Sequence, residues 1–277
     1  MLDFIAQIPI AVWVKEFTDW LTEAFAFIFD PIKNQGGDFL DWTSDMLVLI
    51  PPIIVIIIVA VIAFFLTDKR IGLPIFTIVG LWLIYNQGLW EELVFTFTLV
   101  LIASLLSILI GIPVGILMSK SKTAEAIITP ILDFMQTMPA FVYLIPAVAF
   151  FGIGMVPGIF ASLIFATPPT VRFTNLGIRQ VSRELVEASD AFGSTGSQKL
   201  FKVELPMAKS TIMAGINQTV MLALSMVVIA SMIGAPGLGR EIVSALQNAN
   251  VGSGFVAGIS IVILAIIIDR FTQNLNK

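Results

Sequence analysis

Long apolar runs recur down this chain with only short polar breaks between them, and they limit its possible folds more than any other feature. Seven are read, at about 46–66, 71–86, 93–118, 138–151, 158–173, 213–233 and 255–268. A helix needs about 20 apolar residues to cross a hydrocarbon core about 30 Å thick, and the longer runs meet that length. The run at 138–151 is the weakest, because Pro139 and Pro146 interrupt its helical pattern. Composition agrees: 57% of residues are hydrophobic and 12% charged, with a mean hydropathy of +0.98, far outside the range of soluble domains. The expected fold class is all-α: a polytopic membrane protein with about seven transmembrane helices and an N-terminal amphipathic helix.

Three parts are expected. In residues 1–45, Ile10, Val14, Phe17, Leu21, Phe25 and Ile28 recur at helical spacing, with Lys15, Asp19 and Glu23 opposite. Charges interrupt this segment too often for a span. It is expected to lie along the membrane surface, with Trp13 and Trp20 near headgroup depth. Pro31 and Gly36-Gly37 are expected to close it before a short second helix around 39–42. Anchoring or packing is its expected role, with lipid sensing as the alternative. Residues 46–90 hold two accessory spans, and 91–277 form the core. The first residues lack the basic region and small-residue cleavage site of a signal peptide, so Met1 onward is expected to be mature.

The chain has no cysteine and no histidine, which excludes disulfides, thiolate or imidazole metal sites and histidine acid–base chemistry. No catalytic or metal site and no nucleic-acid partner are expected. All but three of the 15 Lys and Arg residues, the exceptions being Lys15, Lys33 and Arg240, fall on one side if seven spans alternate. Residues 1–45 carry eight acidic groups against two basic ones. Basic residues favour the inner side, so the N-terminus is expected outside and the C-terminus inside.

The longest polar interval, about 175–210, then falls inside. Ser182 is placed to cap a helix with Glu184 in its first turn, where the dipole favours negative charge. Gly193 is where that helix should stop, since glycine takes the left-handed conformation without steric cost. Thr195 with Gln198 three residues on reads as a capping box opening a second helix, and Pro206 suits a first turn. The product is a helix–turn–helix elbow between two spans.

The elbow's residues carry a resemblance. Glu187-Ala188-Ser189-Asp190-Ala191-Phe192-Gly193, followed by Val203-Glu204-Leu205-Pro206, resembles the EAA loop of bacterial ABC importer permeases, with Ser189 for the usual second alanine and Val203 for isoleucine. The stretches from Gln136 to Pro146 and from Gly234 to Gly239 look like those of glycine betaine/proline betaine permeases, and the match runs over about 90–273. The resemblance implies a type I ABC importer permease fold in a bacterial cytoplasmic membrane. It implies a second copy of the chain, two cytoplasmic ATPase subunits and an extracellular binding protein, separate or, in some relatives, fused after the permease. It further implies that Glu187, Ala188, Ser189, Asp190, Ala191, Phe192, Gly193, Leu205 and Pro206 form the ATPase-coupling loop. No G-x-x-x-x-G-K-[ST] loop occurs in the chain, so ATP and Mg are expected on the partner ATPase and no cofactor on this chain.

Pathway residues are sought among polar and aromatic side chains within spans: Thr137, Phe141, Tyr143, Asn217, Gln218 and Ser225, with Ser104, Ser107 and Thr219 as weaker candidates. Buried amides in a membrane face a bundle interior or a cavity, and hydrogen bonding between helices is the competing reading. Phe141 and Tyr143 lie beside a proline-broken backbone and suit a cationic substrate. Carnitine, choline and proline remain alternative substrates. A secondary transporter is the alternative class, though no inverted repeat or deep intramembrane acid is found to support it.

Overall fold

The computed structural model describes residues 8–67 and 70–274. Lys69 and Lys277, two of the basic residues that orient the chain, lie outside them. The described residues form helices and turns, with no strand among them. In chain order the helices are α1 (Ile10–Ala24), α2 (Ala26–Val48), α3 (Pro52–Leu66), α4 (Gly72–Asn86), α5 (Trp90–Lys120), α6 (Lys122–Thr137), α7 (Leu144–Phe151) and α8 (Met155–Arg179). They continue with α9 (Arg183–Ala191), α10 (Gly196–Lys199), α11 (Leu205–Ser231), α12 (Leu238–Gln247) and α13 (Val251–Asn274). A 3-10 turn (Ala140–Tyr143) leads into α7, and a π-turn (Leu200–Glu204) joins α10 to α11.

Among the described residues, three continuous helices are long and apolar enough to span a membrane: α5, the run Gly196–Ser231, and α13. Two further pairs qualify only jointly, α2 with α3 across a 91° bend and α6 with the segment Ala140–Phe151 across a 108° bend. The bends fall at Pro51 and Pro139, whose rings bar the preceding residue from helical geometry. The apolar run expected at 46–66 is therefore divided: Met46 to Val48 end α2, and only α3 continues it.

The opening segment differs from its expected form. Its helix breaks at Phe25, and α2 then continues through Pro31 and past Gly36 and Gly37 to Val48. Tertiary packing overrides the breakers here. Gly37 turns toward Val156 of α8, Leu40 and Ser44 are buried, and Phe29 stacks on Phe150 with ring centroids 4.7 Å apart. No residue of α1 is buried; Trp13, Phe17 and Trp20 all stay exposed.

The core is built on α8, which lies between α5 and α11. Gly111 and Gly115, four apart on α5, let the backbones close on each other: a Cβ on Gly115 would lie 2.5 Å from Thr174 Cβ and 2.7 Å from the Val171 carbonyl. On its other side, the Thr170 hydroxyl meets that of Thr219 on α11 at 2.7 Å, fully buried. The charges at the ends of α5 suit its dipole, with Glu91 and Glu92 in the first turn and Lys120 in the last. Ser121 caps α6 by accepting the Ala124 amide at 3.2 Å.

Beyond α11 the glycine-rich turn leads into a ten-residue helix, α12. The Leu238 amide donates to the Thr96 hydroxyl at 2.8 Å, pinning the start of α12 to α5. Leu238 and Ala245 are buried, while Leu246 is exposed.

Candidate functional site

The elbow between α8 and α11 is built from local rules. Ser182 stands at the N-cap of α9 with extended backbone, but its hydroxyl makes no capping bond. Glu184 occupies the first turn. The end of α9 is fixed more firmly. The Gly193 amide donates to the Asp190 carbonyl at 2.9 Å and the Ser194 amide to the Ser189 carbonyl at 3.1 Å, with Gly193 at φ +75°. These paired bonds form a Schellman motif. Thr195 and Gln198 then close a complete capping box on α10.

One ion pair ties the two short helices together. Lys199 Nζ lies 2.7 Å from Asp190 Oδ1 and 3.0 Å from Oδ2, and this hydrogen bond holds the Lys199 ammonium above its ordinary pKa. Pro206 lies in the first turn of α11, as its missing N–H suits, although the backbone is helical without a break from Gly196 to Ser231. The wider π-turn falls just where the proline ring would collide with the Lys202 carbonyl of a regular helix.

The exposed face of α9 carries the residues singled out from sequence. Phe192 at its tip is 90% exposed. Arg183 and Glu187 pair across one turn at 2.7 Å, both exposed. Ala188 and Asp190 lie on accessible faces, and Ala191 also points outward. Ser189 is buried, and its hydroxyl has no hydrogen-bond partner among the described residues. Leu205 packs with Ile178, Ala208 and Ile212 at the foot of the elbow, beside Ile112 and Ile116 of α5.

Several charged residues outside the expected coupling-loop set hold that foot. Arg179, the last residue of α8, donates to the Met118 carbonyl at 3.0 Å and pairs with Glu125 at 2.7 Å. Glu204 is 4% exposed and pairs with Lys120 at the end of α5. Arg172 pairs with Asp133 of α6. The only signal for these in the sequence is a charge at the boundary of an apolar run, which does not reveal its partner.

The candidate pathway residues are scattered. Thr137 ends α6, exposed, with its hydroxyl donating to the Phe134 carbonyl at 3.0 Å. Phe141 is 60% exposed in the 3-10 turn. Tyr143, two residues on, is buried: its hydroxyl donates to the Met135 carbonyl and its ring meets Phe165 edge-on at 6.1 Å. Asn217 is spent between helices, its amide donating to Asp269 at 2.9 Å and its carbonyl accepting from Thr272. Gln218 and Ser225 share an exposed stripe of α11 with Ala214. Ser107 donates to the Leu163 carbonyl at 3.3 Å, and Ser104 is buried without a partner among the described residues.

A family described as the binding-protein-dependent transport system inner membrane component matches residues 107–277, a stretch that takes in the elbow and its foot. The chain belongs to this family. This permease is 59% identical over 275 residues to the glycine betaine/carnitine transport permease protein of Listeria monocytogenes, covering 99% of this chain and 97% of that one. It is 51% identical to the glycine betaine transport system permease protein of Bacillus subtilis over 99% and 96% of the two chains. Against the glycine betaine/proline betaine permease protein of Escherichia coli the identity is 46%, over 98% of this chain and 76% of that one. These relatives are transport permeases, not enzymes. A chain of an inward-facing methionine ABC transporter matches the permease at a TM-score of 0.61 and 23% identity, covering 70% of this chain and 95% of that one. That likeness fixes the fold, which is that of a type I ABC importer permease.

Proposed function

We propose that this permease imports a quaternary-ammonium compatible solute, glycine betaine foremost, as a homodimer driven by two ATPase subunits that dock on its elbows. The observation that carries the coupling half of this reading is Phe192: a large apolar side chain left 90% exposed at the tip of a helix whose C-terminal end is fixed by the Schellman motif and the capping box that follows it. Exposed aromatics on rigid supports are the usual anchors of protein interfaces. Glu187, Ala188, Asp190 and Ala191 line the same contact, while Ser189, Gly193, Leu205 and Pro206 hold its shape. Nucleotide and Mg belong to the ATPase, and this chain carries no cofactor.

The substrate half rests on the relatives, whose names specify betaines and, for one, carnitine. A receptor would deliver the solute from the side of α1 and α2, with the N-terminus outside and the C-terminus inside. Residues 1–45 would lie against the lipid surface, 46–90 would add two accessory spans, and 91–277 would form the transporting core. Gln218, Ser225, Thr137 and Phe141 are the accessible pathway candidates. Tyr143 and Asn217 would shape the pathway from behind. Reconstitution with the ATPase and a betaine receptor in liposomes tests this. ATP- and receptor-dependent uptake of labelled glycine betaine, with carnitine, choline and proline as competitors, is the expected result. Absence of uptake for all four solutes would refute it.

A further inference from the structure

We infer that the last turn of α5 is the element through which the elbow moves the pathway helices, and that Glu204 and Lys120 are the positioning residues that make this joint. The inference rests on the reading of the elbow as a docking site. The elbow is stiff within itself: the Schellman motif, the capping box and the pair of Asp190 and Lys199 leave no free hinge between α9 and α10. It is also fastened at both ends to one turn of α5. On the entry side Arg179 donates to the Met118 carbonyl at 3.0 Å. On the exit side Glu204 accepts from Lys120. A stiff element held at one point swivels; held at two points on the same turn, it carries that turn with it.

The burial of Glu204 makes the exit-side joint the stronger coupling element. At 4% exposure its carboxylate is costly to leave unpaired, so the pair stays closed wherever Glu204 stays buried. Above the joint, Gly111 and Gly115 press α5 directly against Thr170, Val171 and Thr174 of α8. Displacement of the last turn of α5 therefore passes into α8 through contacts with no slack, and from α8 to α11 through the hydroxyls of Thr170 and Thr219.

The test uses the full transporter, permease with ATPase and receptor, in proteoliposomes, and reads uptake and receptor-stimulated hydrolysis in the same vesicles. Glu204→Gln should assemble with the ATPase yet lower uptake per ATP hydrolysed by about tenfold, within the range typical of coupling between sites. The charge-swapped K120E/E204K should recover most of that loss. A merely architectural role would lower uptake and hydrolysis together and leave their ratio unchanged, which would overturn the inference. So would a swap that assembles but stays as uncoupled as Glu204→Gln. Should Glu204→Gln fail to insert, K120Q/E204Q, which leaves no unpaired charge, carries the same test: an unchanged ratio overturns the inference. Wild-type vesicles with no ATP-dependent uptake would instead refute the docking reading itself.

Discussion

The Ser194 amide donates to the Ser189 carbonyl across 3.1 Å, and the chain can turn back this tightly because Gly193 between them sits at φ +75°. Among the described residues, and its chain neighbours apart, no heavy atom lies within 4 Å of where a Cβ on Gly193 would stand. The constraint at this position is therefore backbone conformation, not space. An L-residue in the left-handed region costs roughly 1–2 kcal/mol, and a β-branched one is a genuine outlier there. Gly193→Val should leave the permease inserted and dimeric but abolish receptor-stimulated hydrolysis and uptake. Gly193→Asn, which tolerates the left-handed conformation, should keep most of both. Equal loss in the two variants would mean that the side chain, not the turn, matters.

The fully buried hydroxyl pair of Thr170 and Thr219 joins α8 to α11, and its energetics can be separated by a double-mutant cycle. Thr170→Val leaves the Thr219 hydroxyl buried without this partner, which costs about 1–3 kcal/mol. Thr170→Val combined with Thr219→Val removes both groups at nearly constant shape and should recover much of that loss. Thermal unfolding of the purified permease in detergent reads the effect. Additive destabilisation would show that the two hydroxyls do not act as a pair.

What the sequence discloses about this fold is mostly what is local. Gly193 and the pairing of Thr195 with Gln198 are complete within a few residues, and the structure places the turn and the capping box where the chain itself dictates. Ser182 looked equally local, yet its hydroxyl makes no cap, because a favourable residue type does not fix a rotamer. Pro31, Gly36 and Gly37 read as helix breakers, but α2 runs through them because packing against α8 outweighs intrinsic propensity. Pro206 reads as a helix start and does fall in the first turn of α11; the π-turn that joins it to α10 without a break has no signal in the sequence. Asn217 was legible as a polar residue in a span, but its partners Asp269 and Thr272 lie on α13, more than fifty residues away. Pairings over that distance leave no periodic signature.

Orientation is testable at α12. Leu246 is 74% exposed while Leu238 is fully buried, so Leu246→Cys should react with a membrane-impermeant maleimide in intact cells and Leu238→Cys should not. A reporter near Asp38 should also read outside, and one after Lys277 inside. Shielding of Leu246→Cys by docked receptor would place the docking face over α12. Labelling of Leu246→Cys only after the cells are opened would invert the proposed orientation.

The exposed face of α9 allows coupling to be separated from folding. Phe192 makes so little contact with its own chain that Phe192→Ala should leave thermal stability unchanged. As an interface anchor its loss should cost at least about 2 kcal/mol of ATPase binding, roughly a thirtyfold weaker complex. Among the described residues Glu187 pairs only with Arg183, at the surface, an interaction worth about 0–1 kcal/mol, so Glu187→Lys should also fold normally. It would nonetheless present a reversed charge to the docking groove, beside Arg183. Both variants should insert and dimerise while losing uptake and the stimulation of hydrolysis by loaded receptor. Affinity for the ATPase, measured on detergent-purified permease, separates the two outcomes. Wild-type affinity and coupled uptake in Phe192→Ala would show that the exposed ring is not the anchor and that α9 meets its partner elsewhere.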